Sequence, residues 1–177
     1  MKISQTKYVL DNKWMKVRND TVQFPAHVSE YFTMEGPDWV MVCGVTPEKE
    51  ILFVNQHRIS IGMDHLELPA GKMDRGDESP LQTAAREFTE ETGFGLTEIH
   101  HLGTFNTLAG RSNVKGHLFC ALTGEKGAQH LDEDERVKIE SIPISTVWRL
   151  IHENKVHCLP SLTTLLLSKE KYPQFFK

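Results

Sequence analysis

The chain has 177 residues, 39% of them hydrophobic and 25% charged, with a formal net charge of −4. That length accommodates one domain with a small extension and a substantial core, and the composition is that of an ordinary globular protein. The slight acidity gives no electrostatic reason to expect nucleic-acid binding, and no run approaches the roughly 18 apolar residues of a membrane span.

In chain order, residues 6–10, 14–18 and 21–24 carry the β-branched and aromatic content of short strands, with Asp11-Asn12 and Asn19-Asp20 as turns between them. Trp14, Phe24, Tyr31 and Phe32 in this stretch read mostly as core aromatics. Residues 1–17 lack the continuous apolar run of a signal peptide. Gly36-Pro37-Asp38 separates this meander from residues 39–45, a nearly continuous apolar run suited to a central strand. Residues 47–50 form a turn, 51–54 the hairpin partner, and 66–68 a strand that runs into the turn Pro69-Ala70-Gly71. A helix opens at Ser79, where Ser79-Pro80-Leu81-Gln82 is a capping box with proline at the first helical position. Apolar residues 81, 84, 85 and 88 follow the helical period, and Thr92-Gly93 ends it. Strands at 98–106, 116–122 and 136–141 follow, then helices at 145–154 and 160–172. Strands on both sides of a helix, with helices last, predict an α/β sandwich with a mixed sheet. Cys43, Cys120 and Cys158 are odd in number, far apart and in apolar surroundings. They read as reduced, mostly buried thiols of a cytoplasmic protein, not as a disulfide frame or a zinc site.

The first helix is acidic where a helix should not be. At 100° per residue, Glu87, Glu90 and Glu91 share one sector of about 100°, beside the apolar stripe. The like-charged i, i+4 pair Glu87 and Glu91 costs a few tenths of a kcal/mol. The C-terminal half of a helix disfavours each anion by roughly a further 0.3–1 kcal/mol. A solvated acidic face is the ordinary explanation of such a run, but it supplies nothing to offset these costs. A bound hard cation does, because Mg²⁺ takes carboxylate oxygens. Arg86 is placed to orient a carboxylate, and a freed carbonyl near Ala70, in the glycine turn ahead of the helix, could complete a cation shell.

Together these residues resemble the Nudix signature, G-x5-E-x7-R-E-U-x-E-E-x-G-U, where U is apolar. Gly71 opens it, Glu78 is its first glutamate, seven residues separate Glu78 from Arg86, and Glu87-Phe88-Thr89-Glu90-Glu91-Thr92-Gly93-Phe94 completes it. Six residues, not five, separate Gly71 from Glu78, so either the loop is longer by one or Asp77 stands in register. Gln56-His57-Arg58 followed by Leu66-Glu67-Leu68-Pro69-Ala70-Gly71 resembles the ADP-ribose and nucleoside diphosphate sugar pyrophosphatase branch of that family.

The resemblance implies a Nudix α/β/α sandwich at residues 37–177, preceded by a small antiparallel β-meander at 1–36 that dimerises. It implies Mg²⁺, with Mn²⁺ as a substitute, held by Ala70, Glu87, Glu91 and Glu90. Arg58, Glu67, Arg111 and Ser112 would meet the substrate, a small nucleotide sugar. The base would come from the acidic loop 131–137 or just beyond it, as Glu133, Glu135 or Glu140, with Arg86 and Glu90 in supporting roles. The region 107–113 lacks the proline usual in the ADP-ribose subgroup, which widens the expected substrates to nucleoside diphosphate sugars as a class. Two rival readings are a different Nudix specificity, such as dinucleoside polyphosphates or a coenzyme, and a silent nucleotide-sugar sensor. The intact Arg86-Glu87 and Glu90-Glu91 pairs argue against the sensor.

Overall fold

The computed structural model describes residues 1–13, 15–73, 79–131 and 137–177. The chain divides into two units, residues 1–38 with 104–116 and residues 39–103 with 117–177.

In the first unit, β1 (Lys2–Asp11), β2 (Lys16–Gln23) and β3 (Val28–Glu35) form an antiparallel meander in that order. The expected antiparallel extension is present, but its strands differ from the expected ones. Residues 16–18 and 21–23 belong to a single strand, and Asn19-Asp20 lies buried in its middle instead of turning. The reason is a partner that composition does not reveal. The Thr6 hydroxyl donates to the Asp20 carboxylate at 2.7 Å and Arg18 Nε donates to it at 2.9 Å, so the aspartate needs no turn to satisfy it. β3 takes the place of the missing strand. Tyr31 and Phe32 on it are 48% and 42% exposed, against the expectation that these aromatics are core. Met34 of β3 also bridges to Ser112, and its N–H donates to the Arg111 carbonyl at 2.7 Å.

The second unit contains β4 (Trp39–Val45), β5 (Glu50–Arg58), β6 (Met63–Glu67), β7 (Ala70–Lys72), α1 (Pro80–Thr92), β8 (Phe94–Asn106), β9 (Lys115–Lys126), β10 (Val137–Pro143), α2 (Ile144–His152) and α3 (Leu159–Lys171). The outer ends of β8 and β9 are counted with the first unit. Among the described residues the sheet runs β10-β5-β4-β9-β8, with β6 on β5 and β7 on β4. The apolar run at 39–45 is therefore central, as its composition requires.

Alternation along the strands splits the core between two faces. Val40, Val42, Leu52, Phe119 and Ala121 pack with Ala84 and Phe88 of α1. Met41, Cys43, Val45, Ile51, Phe53, Leu118 and Cys120 pack with Val147 of α2 and Leu165 of α3. One helix on one face and two on the other make the three-layer α/β sandwich. All three cysteines are buried and free. No described helix is long and apolar enough to cross a membrane.

Candidate active site

The site is built where α1 crosses the strands β4 and β7. Ser79 caps α1 as its sequence dictates. The Gln82 N–H donates to the Ser79 hydroxyl at 3.3 Å, and the Ser79 N–H donates to the Gln82 side chain at 2.9 Å. At the other end Gly93 takes the left-handed conformation, φ 74°, and closes the helix on Thr89. Residues 70–72, expected as a turn, form β7 instead, antiparallel to β4 with Ala70 opposite Met41 and Gly71 opposite Val40. The glycine turn is thereby pinned to the central strand, and α1 packs over it.

Two missing side chains let the helix come this close. A Cβ on Gly44 would lie 2.3 Å from the Phe88 ring. A Cβ on Gly71 would lie 1.9 Å from the Glu87 carboxyl carbon and 2.2 Å from its Oε2. The carboxylate of Glu87 thus occupies the space that any residue other than glycine would fill. Glu91, 3% exposed, accepts the Ala70 N–H on Oε2 at 3.0 Å. Arg86 Nη1 lies 2.8 Å from both Glu87 Oε1 and Glu90 Oε2. The structure therefore brings Ala70, Arg86, Glu87, Glu90 and Glu91 together. It also shows a second tether, the Gln129 side-chain amide on the Glu91 carbonyl, which lies too far along the chain for local spacing to reveal.

The same stretch carries the other charged pair. β6 ends at Glu67, three residues before Ala70, and its carboxylate accepts Arg58 Nε at 2.7 Å and Nη2 at 2.6 Å. His65 Nδ1 is 2.7 Å from the same carboxylate. Burial pushes the Glu67 carboxyl up, but the bonds from Arg58 and His65 outweigh it and hold it below the usual range. The Arg58 guanidinium is raised, first by its bond to Glu67, and Glu91 contributes to the same direction.

The remaining candidates belong to other elements. Glu140 of β10 accepts the Asn55 side-chain amide at 2.9 Å. It shares a strand face with Ile142, which packs against α2 and α3, whereas Ile139 packs against α1. Arg111 and Ser112 belong to the first unit, where the Ser112 hydroxyl donates to the Met34 carbonyl at 2.9 Å. Glu133 and Glu135, with Glu78, Asp77 and Trp14, lie outside the described residues.

The donor set decides which kind of ion fits. Glu87, Glu90 and Glu91 offer carboxylate oxygens alone, and the cradle at Gly71 keeps the Glu87 carboxylate against backbone. Hard oxygen donors suit Mg²⁺ or Mn²⁺ and not a soft metal. Residues 37–160 match the NUDIX domain family. The chain is a Nudix hydrolase. It is 31% identical over 159 residues to the methanol dehydrogenase activator of Bacillus methanolicus, covering 88% of this chain and 85% of that protein. It is 30% identical over 152 residues to the ADP-ribose pyrophosphatase of Bacillus subtilis, covering 84% and 82%. A crystal structure of an ADP compounds hydrolase superposes with a TM-score of 0.87 at 19% identity, covering 98% of this chain and 94% of that one, which bears on the fold. The Nudix hydrolase belongs to the ADP-ribose pyrophosphatase branch, which its stretches Gln56-His57-Arg58 and Leu66 to Gly71 resemble.

Proposed function

We propose that this Nudix hydrolase is a Mg²⁺-dependent pyrophosphohydrolase that cleaves ADP-ribose or related nucleoside diphosphate sugars to a nucleoside monophosphate and a sugar phosphate. The observation that supports it most is the Glu87 carboxylate in the space above Gly71, with Glu91 tied to the Ala70 amide beside it. Glu87, Glu91 and the Ala70 carbonyl would hold the cation, which when bound neutralises diphosphate charge and makes water a better nucleophile.

The side chains supply the rest. Arg86 clamps Glu87 and Glu90 and so fixes the direction of both carboxylates. Arg58, held by Glu67, presents the outer edge of its guanidinium to the substrate diphosphate. The proton of the attacking water passes to a carboxylate of the acidic loop, Glu133 or Glu135, since Glu140 faces away from α1. Arg111 and Ser112 would meet the terminal sugar. The protein would act as a cytoplasmic homodimer joined through its β-meander.

The test is a panel of ADP-ribose, GDP-mannose, UDP-glucose and diadenosine polyphosphates with Mg²⁺, products resolved by chromatography. Cleavage of the nucleotide sugars, lost in Glu91→Gln, is the expected result. Turnover of the diadenosine compounds alone would replace the specificity while leaving the family untouched. A second reading follows from the likeness to the methanol dehydrogenase activator. Here the chain would stimulate a methanol dehydrogenase, and adding it to such an enzyme while following methanol oxidation measures that directly.

A further inference from the structure

The three cysteines lie far apart in sequence. Folding sets the Cys43 thiol against that of Cys120 and gives Cys158 other company. His65, Glu67 and Cys158 each present a ligand atom, and these atoms all lie within 4.8 Å of one another. Glu67 and Cys158 are buried, and His65 is largely so. His65 and Glu67 share one face of β6 by the two-residue alternation, and Cys158 caps the start of α3. The imidazole of the adjacent His157 stands 6.4 Å from that of His65, centroid to centroid.

We propose that His65, Glu67 and Cys158 form a second metal site, selective for a borderline ion of the zinc class and distinct from the oxygen-lined site on α1. Thiolate, imidazole and carboxylate are the donor types such ions take, and Mg²⁺ does not compete for sulfur or nitrogen. A tetrahedral ion with these bond lengths places its ligands roughly 3.3–3.7 Å apart. Donors at the 4.8 Å limit therefore close by roughly 1.1–1.5 Å, while His65 Nδ1 and Glu67 Oε1, now 2.7 Å apart, open by roughly 0.6–1.0 Å. The fourth position is left to water or to His157. On binding, the metal takes an imidazole lone pair in place of the His65–Glu67 hydrogen bond, the ring keeping its proton on the other nitrogen, and the Cys158 thiol proton passes to solvent. Arg58 keeps its two hydrogen bonds to Glu67 and orients the ligating carboxylate from behind. Its positive charge opposes a second cation, and the existing Glu67 carboxylate together with the Cys158 thiolate formed on binding offset that opposition.

Cobalt(II) distinguishes this site from the carboxylates of α1, because only a bound thiolate gives a sulfur-to-cobalt charge-transfer band. The full-length protein is stripped with chelator, desalted, supplied with excess Mg²⁺ to occupy the oxygen site, and titrated with Co²⁺. The expected result is a charge-transfer band that saturates at one equivalent and is displaced by Zn²⁺. Cys158→Ser removes the band while Mg²⁺-supported turnover and circular dichroism stay at wild-type levels, serine being a good residue at a helix N-cap. His65→Gln weakens Co²⁺ binding at least tenfold. Absence of the band in the wild-type protein overturns the proposal, and so does a band of undiminished intensity in Cys158→Ser.

Discussion

The absence of a side chain at position 71 is what leaves room for the Glu87 carboxylate. The Glu87 carboxylate fills the volume that a Cβ would need, so Gly71→Ala must push it from the backbone it rests on. Overpacking of this kind costs roughly 1–3 kcal/mol, which a domain of this size survives. On the proposed role of Glu87 in holding the cation, activity is another matter, because displacing such a carboxylate by even about 1 Å costs roughly 100-fold. Gly71→Ala is expected to melt cooperatively a few degrees lower and to lose at least that factor in kcat, read from melting curves and steady-state rates on one preparation. Glu67 carries a prediction of its own. Its carboxyl is held below the ordinary value, so its contribution is fully present above the unfolded pKa of about 4.3 and is lost as pH falls through the folded one. Replacing it with glutamine leaves the Arg58 guanidinium without its paired acceptor. The gap in melting temperature between wild type and Glu67→Gln should therefore be widest at neutral pH and close as the solution is acidified below about pH 4. A gap independent of pH would mean that the pairing contributes nothing to folding.

At the scale of elements, α1 is the helix whose local signals and tertiary role agree. Ser79 and Gln82 cap each other, and removing the cap hydroxyl with Ser79→Ala should cost about 1 kcal/mol, measured by urea titration with an unchanged m-value. These features were legible in the sequence because they depend on neighbours three or four residues away. The same holds for the buried run of β4, the helical positions of Glu87, Glu90 and Glu91, and the boundaries of α2 and α3. What the sequence concealed depends on distant partners. Asn19-Asp20 has turn composition, and only Thr6 and Arg18 explain why it lies within a strand. Ala70-Gly71-Lys72 reads as a turn until β4 is placed beside it. His65 could have been noticed, since it shares a strand face with Glu67, but Cys158 is 91 residues further on and joins them only through the packing of α3. Glu140 is a carboxylate in the expected place along the chain, yet the pleat of β10 turns it away from α1.

For the molecule as a whole, the β-meander is the part that bears on assembly. The three-stranded sheet exposes Ile3, Tyr8, Val9, Val28, Tyr31, Phe32 and Met34. Apolar groups concentrated on one small sheet mark an interaction surface more often than chance exposure. Tyr31 and Phe32 are neighbours on β3 and so project to opposite faces, which gives the sheet an aromatic anchor on each. A homodimer joined here should appear in sedimentation velocity as one species of twice the chain mass across the micromolar range. Aromatic anchors at interfaces each contribute about 2 kcal/mol or more. Replacing both Tyr31 and Phe32 with lysine should then weaken association by roughly a thousandfold and leave a monomer at the same concentrations. Neither side chain belongs to the carboxylate site on α1, so the monomer tests whether that site is complete within one chain. Retained turnover in the monomer would confine the meander to assembly. Loss of turnover with an intact fold would mean that the partner's meander contributes to the substrate pocket, and a monomeric wild-type protein would remove the dimer altogether.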